Sequence, residues 1–125
     1  MPRKSIDIGG FGHQNPIPAA TRLGPLLVTS VIAPFDPGTR NVPADAAAQI
    51  ENVFIHAGEI LEAAGATWED VVKFTFYVED IKTRELINDP WVKRFPDPES
   101  RPSRHTMLAL GGPAVRGELM AYIER

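Results

Sequence analysis

The chain has 125 residues, a formal net charge of -3, 43% hydrophobic and 23% charged residues, and no cysteine. The missing cysteine excludes disulfides, thiolate nucleophiles and thiolate metal sites, and the acidic balance argues against non-specific nucleic-acid binding, which needs a basic footprint. No run approaches the roughly 20 apolar residues of a membrane helix, and Met1-Pro2-Arg3-Lys4 leads into Ser-Ile-Asp-Ile instead of a signal-peptide core. The expectation is one cytoplasmic domain over residues 1–125 with no membrane association.

Residues 4–8 are expected to form a short strand, and Gly9-Gly10-Phe11-Gly12 a turn or flexible loop. The glycine cluster lacks the strand–loop–helix context of a phosphate site. The apolar run Leu26 to Ala33, bounded by Pro25 and Pro34, predicts a strand buried on both faces. Asp36-Pro37-Gly38-Thr39 is a turn signal. Ile50, Val53, Phe54, Ala57, Ile60, Leu61 and Ala64 recur at three- and four-residue spacing and predict a helix over 45–64. Asp45 is placed to cap it and Gly65 to end it. Its other face, with Gln49, Glu51, Asn52, Glu59 and Glu62, is expected to be solvated.

Val72, Phe74, Phe76 and Val78 alternate with Lys73, Thr75 and Tyr77, the pattern of a strand with one apolar face. Residues 81–95 predict a second helix that restarts at Asp89-Pro90 as N-cap and first helical residue, with Trp91 and Phe95 sharing a face. Residues 105–110 and 118–124 predict two closing strands joined through Gly111-Gly112-Pro113. The order is β-β-α-β-α-β-β, with one further N-terminal strand left open. The class is α+β. Two helices cover only one face of such a sheet, so self-association through the other face is expected.

His13, His56 and His105 share no HxH, HxxxH or HExxH spacing, so no metal is expected. His56 flanks the apolar stripe of the first helix and is expected to be a surface or partly buried structural residue. Glu69-Asp70 and Glu79-Asp80 sit at strand ends and are expected to be solvated. In Arg101-Pro102-Ser103-Arg104-His105-Thr106, proline fixes the backbone before an arginine at the mouth of a strand. That suits a bidentate carboxylate receptor. From this chemistry alone, an ordinary surface or interface salt bridge is the simpler reading.

Several segments taken together resemble a known family. They are the 18–30 run Pro-Ala-Ala-Thr-Arg-Leu-Gly-Pro-Leu-Leu-Val-Thr-Ser, Ala47-Ala48-Gln49, the 62–73 run Glu-Ala-Ala-Gly-Ala-Thr-Trp-Glu-Asp-Val-Val-Lys, Asn88 with Trp91 and Phe95, and Arg101-Pro102-Ser103-Arg104. From about residue 14 to 124 the chain is similar to the Rid (reactive intermediate deaminase, YjgF-like) family, as a divergent member. The resemblance implies a chorismate-mutase-like fold, a mixed β-sheet with two helices packed on one face, and a homotrimer with ligand clefts between subunits. It implies hydrolysis of reactive enamines and imines to ketones and ammonia without a metal or organic cofactor, on a small-molecule carboxylate substrate. It implies Arg104, Thr106 and Glu118 as the catalytic set, and Arg104, Asn88, Ile17, Val31 and His105 as the substrate-binding set.

The chain departs from the family at three places. Ile17 stands where a cleft tyrosine is usual and Val31 where a cleft glycine is usual. The acidic residue of the last strand aligns near Leu119, so Glu118 is one position off and in a regular strand faces the other way unless a bulge intervenes. His105, Glu124 or His13 are the substitutes for handling the attacking water. Ile17 and Val31 suggest a tighter, greasier cleft and a dedicated substrate such as 2-aminomuconate. The alternative is a non-catalytic protein that holds a small carboxylate at Arg104. Ribonuclease activity, attributed to some relatives, is the least expected on charge grounds.

Overall fold

Asp45 ends an extended stretch, and its carboxylate accepts from the Ala48 N–H, opening helix α1 (Ala46–Ala63). Gly65, at φ 77°, closes it with the Ala66 N–H returning to the Leu61 carbonyl. The structure is a computed structural model that describes residues 2–125; Met1 lies outside the described residues.

The remaining elements are strands β1 (Lys4–Ile6), β2 (Ala20–Leu23), β3 (Leu26–Thr29) and β4 (Val71–Val78), a short helix α2 (Asn88–Arg94), and strands β5 (Ser103–Leu108) and β6 (Val115–Tyr122). The six strands form one sheet in the order β1-β2-β3-β6-β4-β5. Every pairing is antiparallel except β4 with β5, so the sheet is mixed. The strand left open in the sequence is β2, tied to β3 by a two-residue turn in which Gly24 adopts φ 57°.

Both helices pack on one face of the sheet, as expected. Phe54 of α1 meets Phe74 and Phe76 of β4 at ring-centroid distances of 5.3 and 5.7 Å, and all three rings are fully buried. Burying a side chain of this size contributes roughly 1.5–3 kcal/mol. Gly117 of β6 allows the close approach of α1, since a Cβ there would lie 2.9 Å from Val53 Cγ1.

The structure corrects several expectations. β3 is buried on one face only: Leu27 and Thr29 point into the core while Leu26 and Val28 are exposed. The helices cover just one side, so the outward half of the apolar run has no partner within the chain. Gln49 and Asn52 are buried, not solvated. Gln49 donates to the Pro43 carbonyl at 2.7 Å, and Asn52 to the Pro34 carbonyl at 3.1 Å and Asp36 at 2.9 Å. His56, fully buried, bonds through Nε2 to the Phe35 carbonyl at 2.7 Å, so this nitrogen carries the proton. These three side chains serve loop carbonyls between β3 and α1, which explains why polar residues line that edge of the helix.

Within the 9–12 loop Gly10 and Phe11 are buried while Gly9 and Gly12 are exposed, and the Phe11 ring lies 4.9 Å from that of His56. The second helix begins as a 3-10 segment (Ile81–Ile87) and restarts at Asn88, one residue before the expected Asp89 cap. Pro90 is accommodated as the third residue, because N–H groups of a first turn have no partner in the helix. Asp70 is not solvated either; it pairs with Arg125 at 2.7 Å and accepts from the Thr67 N–H at 2.8 Å. Glu79 accepts from the Gly111 N–H at 2.6 Å, pinning the start of the β5–β6 connection.

Candidate functional site

Arg104 is the second residue of β5, an edge strand entered through Pro102. Its register opposite Phe74 turns its side chain to the helix-covered face. There Nη2 donates to Asn88 Oδ1 at 2.8 Å, and the guanidinium lies 5.1 Å from the centre of the Trp91 ring. Trp91 is itself wedged against Phe95 at 4.7 Å, with Phe74 and Phe76 at 6.4 Å. The arginine therefore rests on a rigid aromatic platform and is aimed by an amide at the start of α2.

No carboxylate neutralises it. Among the described residues the ion pairs are Arg94–Glu51 and Arg125–Asp70. Burial, and after it the like charge of Arg84, hold the Arg104 guanidinium below the usual arginine range. A half-buried cation with one neutral partner and unused donors is a receptor for a planar anion. Thr106, two residues on and half-buried, lies on the same side of β5.

Glu118 lies elsewhere. It stands opposite Thr75 on β6, and the Tyr77 hydroxyl donates to its Oε1. With Val28, Lys73, Thr75 and Met120 it lines a cavity of about 220 Å³ on the face of the sheet that the helices leave open. Leu119 points into the core. The one irregularity of the β4–β6 pairing falls between Val71 and Lys73, too far along the strand to turn Glu118 around. The bulge that would bring Glu118 beside Arg104 is thus not present, and the two side chains occupy opposite faces of one sheet.

His105, exposed and in register with Thr75, shares the open face with Glu118. Ile17 and Val31 are 48% and 38% exposed, in the segments before β2 and after β3. β6 and β4 separate β3 from β5, a distance of about 14 Å at normal strand spacing. Within one chain, Arg104, Asn88 and Thr106 come together, while Glu118, His105, Ile17 and Val31 do not join them. Glu124 is exposed beyond β6, and His13 is half-buried with its ring 5.4 Å from that of Phe11.

Sequence reasoning assigns no role to Arg84 or Tyr77 and does not identify Trp91 as a platform. Arg84 precedes Asn88 by four residues, and Tyr77 shares the polar side of β4 with Lys73 and Thr75; those spacings were the available signals. A concavity of about 1150 Å³ lies between β1, the end of α1 and the end of β6; Glu124 lines it, and Arg104, Asn88, Thr106 and Glu118 do not.

Residues 13–112 match the family described as Endoribonuclease L-PSP. A RutC family protein of Haemophilus influenzae is 36% identical over 80 residues, which are 64% of this chain and 62% of that protein. The 2-iminobutanoate/2-iminopropanoate deaminase of Escherichia coli K12 is 39% identical over 66 residues, 53% of this chain and 52% of the enzyme. The matched regions thus span about half to three-fifths of these relatives. Among solved structures, the YjgF gene product of E. coli has a TM-score of 0.85 at 28% identity, covering 98% of this chain and 99% of its own. RidA of an Antarctic Psychrobacter has a TM-score of 0.87 at 27% identity, covering 96% and 99%. The expected chorismate-mutase-like arrangement is therefore the fold, and the chain belongs to the Endoribonuclease L-PSP family, that is, the Rid (YjgF) family.

Proposed function

We propose that the protein is an imine or enamine deaminase, converting a small carboxylate-bearing imine to a ketone and ammonia as a cytoplasmic, single-domain protein. The observation that carries this reading is the uncompensated Arg104, aimed by Asn88 and seated on Trp91. The names of the similar deaminases support the reaction type. Arg104 grips the substrate carboxylate and fixes the C=N bond in space. The oxygen of a water adds to the imine carbon, its protons pass to nitrogen, and the C–N bond breaks to release ammonia and leave C=O. Imines are electrophilic, so proton-transfer help of about 10²–10⁴-fold suffices. Thr106 lies beside the anchored carboxylate. 2-Aminomuconate is one candidate substrate.

The water-handling group is the weak point of a single chain, because Glu118 and His105 face away from Arg104. We infer a homotrimer in which the open face of one copy, with Glu118 and His105, and the segments that carry Ile17 and Val31 meet the Arg104 edge of the next. Support comes from the outward Leu26, Val28, Met120 and Tyr122, each 37–50% exposed on that face. The separation of Arg104 from any carboxylate base also favours a second reading, a protein that binds small carboxylates without hydrolysing them. The ribonuclease activity in the family description is supported least, given the net charge of -3.

The test is ammonia release from freshly generated 2-iminopropanoate and 2-aminomuconate by wild type and Arg104→Ala, with light scattering for the assembly state. Turnover that is lost in a folded Arg104→Ala supports the deaminase. Binding of a keto acid without turnover of either imine supports the carrier. Full activity of Arg104→Ala removes both.

A further inference from the structure

Strands β1 and β2 pair with Lys4 directly opposite Arg22 and Ile6 directly opposite Ala20. Ile6 and Ala20 are buried in the core, so Lys4 and Arg22, two residues along each strand, share their face. Like charges opposite each other in an antiparallel pair stand about 5 Å apart at Cβ and repel. Among the described residues the ion pairs are Arg94–Glu51 and Arg125–Asp70, so no Asp or Glu carboxylate lies within 4.0 Å of either cation. Arg22 is also fixed in place. Its guanidinium donates to the main-chain oxygens of Gly24 at 2.9 Å, Ala64 at 2.5 Å and Arg125 at 3.5 Å. These bonds use three of the five N–H groups of a guanidinium and leave two for a ligand.

Both cations line the concavity of about 1150 Å³ between β1, the end of α1 and the end of β6, with Arg3 as a third. That space exceeds the roughly 300–1,000 Å³ of ordinary small-ligand clefts. The one Asp or Glu in its lining, Glu124, is exposed, and its fourth cation, Arg125, is taken up by Asp70. Buried Ile6 and Ile123, with the exposed Tyr122, supply an apolar wall. A chain of net charge -3 thus gathers cations in one hollow. An arginine fork beside a lysine point charge matches a phosphate group. We propose that this hollow is a second ligand site, which takes the dianionic head of an organic phosphate monoester between Lys4 and Arg22 and seats its apolar body against Ile6, Tyr122 and Ile123. It is separate from Arg104, since β1 is one edge strand of the sheet and β5 the other.

The experiment titrates the protein with phenyl phosphate, inorganic phosphate and benzoate at constant ionic strength, followed by amide NMR shifts near pH 8, where the phosphates are dianions. Phenyl phosphate is expected to give saturable shifts at Lys4, Arg22 and Ile123 and to leave β5 unmoved. It should bind roughly tenfold tighter than inorganic phosphate, which lacks the apolar body. Benzoate, with one charge, should be the weaker ligand of this hollow. Arg22→Gln should weaken phenyl phosphate about tenfold to a hundredfold, the worth of one charge-assisted contact. Because Arg22 also holds the end of α1, the deciding variant is Lys4→Gln, at an exposed position. It should weaken phenyl phosphate about threefold to fivefold. Relief of the Lys4–Arg22 repulsion should at the same time raise the urea midpoint of the ligand-free protein. A residue of merely structural role would not move the two readouts in opposite directions. Absence of saturable shifts, shifts confined to β5, or unchanged affinity in Lys4→Gln overturns the site. Benzoate or inorganic phosphate binding as tightly there as phenyl phosphate overturns the assignment to a phosphate monoester.

Discussion

Tyr77 and Glu118 are diagonal neighbours on β4 and β6, and the tyrosine hydroxyl donates to the carboxylate. The bond holds Glu118 in one rotamer on the open face of the sheet. It also raises the pKa of Tyr77, chiefly through the hydrogen bond to Glu118, then through burial and the neighbouring negative charge. A phenol whose pKa is raised on folding stabilises the fold fully below its unfolded value of about 10 and loses that contribution as pH climbs through the folded value. Tyr77→Phe should therefore cost about 1 kcal/mol in urea unfolding near neutral pH. It should also flatten the alkaline decline in stability. An unchanged decline above about pH 10 would show that the bond is not formed in solution.

Asn88 offers Arg104 an acceptor that is neutral, and neutrality is what leaves the guanidinium able to take an anion. Asn88→Asp places a resident carboxylate on the same nitrogen at the same reach. On the proposed deaminase reading the substrate carboxylate must then displace a charged competitor, and KM is expected to rise roughly tenfold or more, in line with the strength of charge-assisted bonds. Asn88→Ala removes the aiming contact without adding charge and should affect KM less. Steady-state kinetics on the two variants, side by side, separate competition from positioning. Equal effects would mean that Asn88 only packs.

The sequence carried the helix-covered half of the molecule well, and the reason is periodicity. Ile50, Val53, Phe54, Ala57, Ile60 and Leu61 repeat at helical spacing, and Phe74 and Phe76 alternate, so both buried faces are written in the order of residues. Arg104 and Asn88 are marked in the sequence by the family resemblance, because local chemistry alone makes Arg104 an ordinary salt bridge and gives Asn88 no role. Their contact, across 16 residues, is not legible there, since it depends on β5 and α2 lying side by side. The side of the sheet that Glu118 occupies depends on register, which a single strand does not encode. The burial of Gln49 and Asn52 is not written in the sequence, because polarity points to solvent until the loop carbonyls they serve are placed.

Glu51 and Arg94 form a second kind of charged contact, structural in role. The ion pair measures 2.7 Å, and the same guanidinium stacks 4.8 Å from the Phe54 ring. The hydrogen bond to Arg94 is the main cause that lowers the Glu51 pKa, with burial opposing it. A carboxylate lowered on folding contributes stability above its unfolded pKa, near 4.3, and loses it as pH falls through the folded value. Since Glu51 is nearly half exposed, solvent limits the contribution to about 0.2–1 kcal/mol. Glu51→Gln is expected to be less stable than wild type by that amount at pH 7, and the two curves should converge near pH 2, as measured by urea midpoints. A constant gap down to pH 2 would assign the effect to packing.

Gly117 sets how closely α1 sits over the strand that carries Glu118. An added Cβ would lie 2.9 Å from Val53 Cγ1 and 3.0 Å from Phe74 Cε1, and both of those side chains are fully buried. Neither has space to swing aside, so Gly117→Ala must push α1 off β6 or bend the strand. Overpacking of this kind costs about 1–3 kcal/mol. Gly12 provides the control, since nothing lies within 4 Å of its added Cβ and its φ is not positive. Gly12→Ala should stay within about 0.5 kcal/mol of wild type. Urea unfolding of the two variants measures the difference directly. Because Gly117 adjoins Glu118, the displaced strand should also weaken the Tyr77–Glu118 bond. Combining Gly117→Ala with Tyr77→Phe should then cost less than the sum of the two changes made separately.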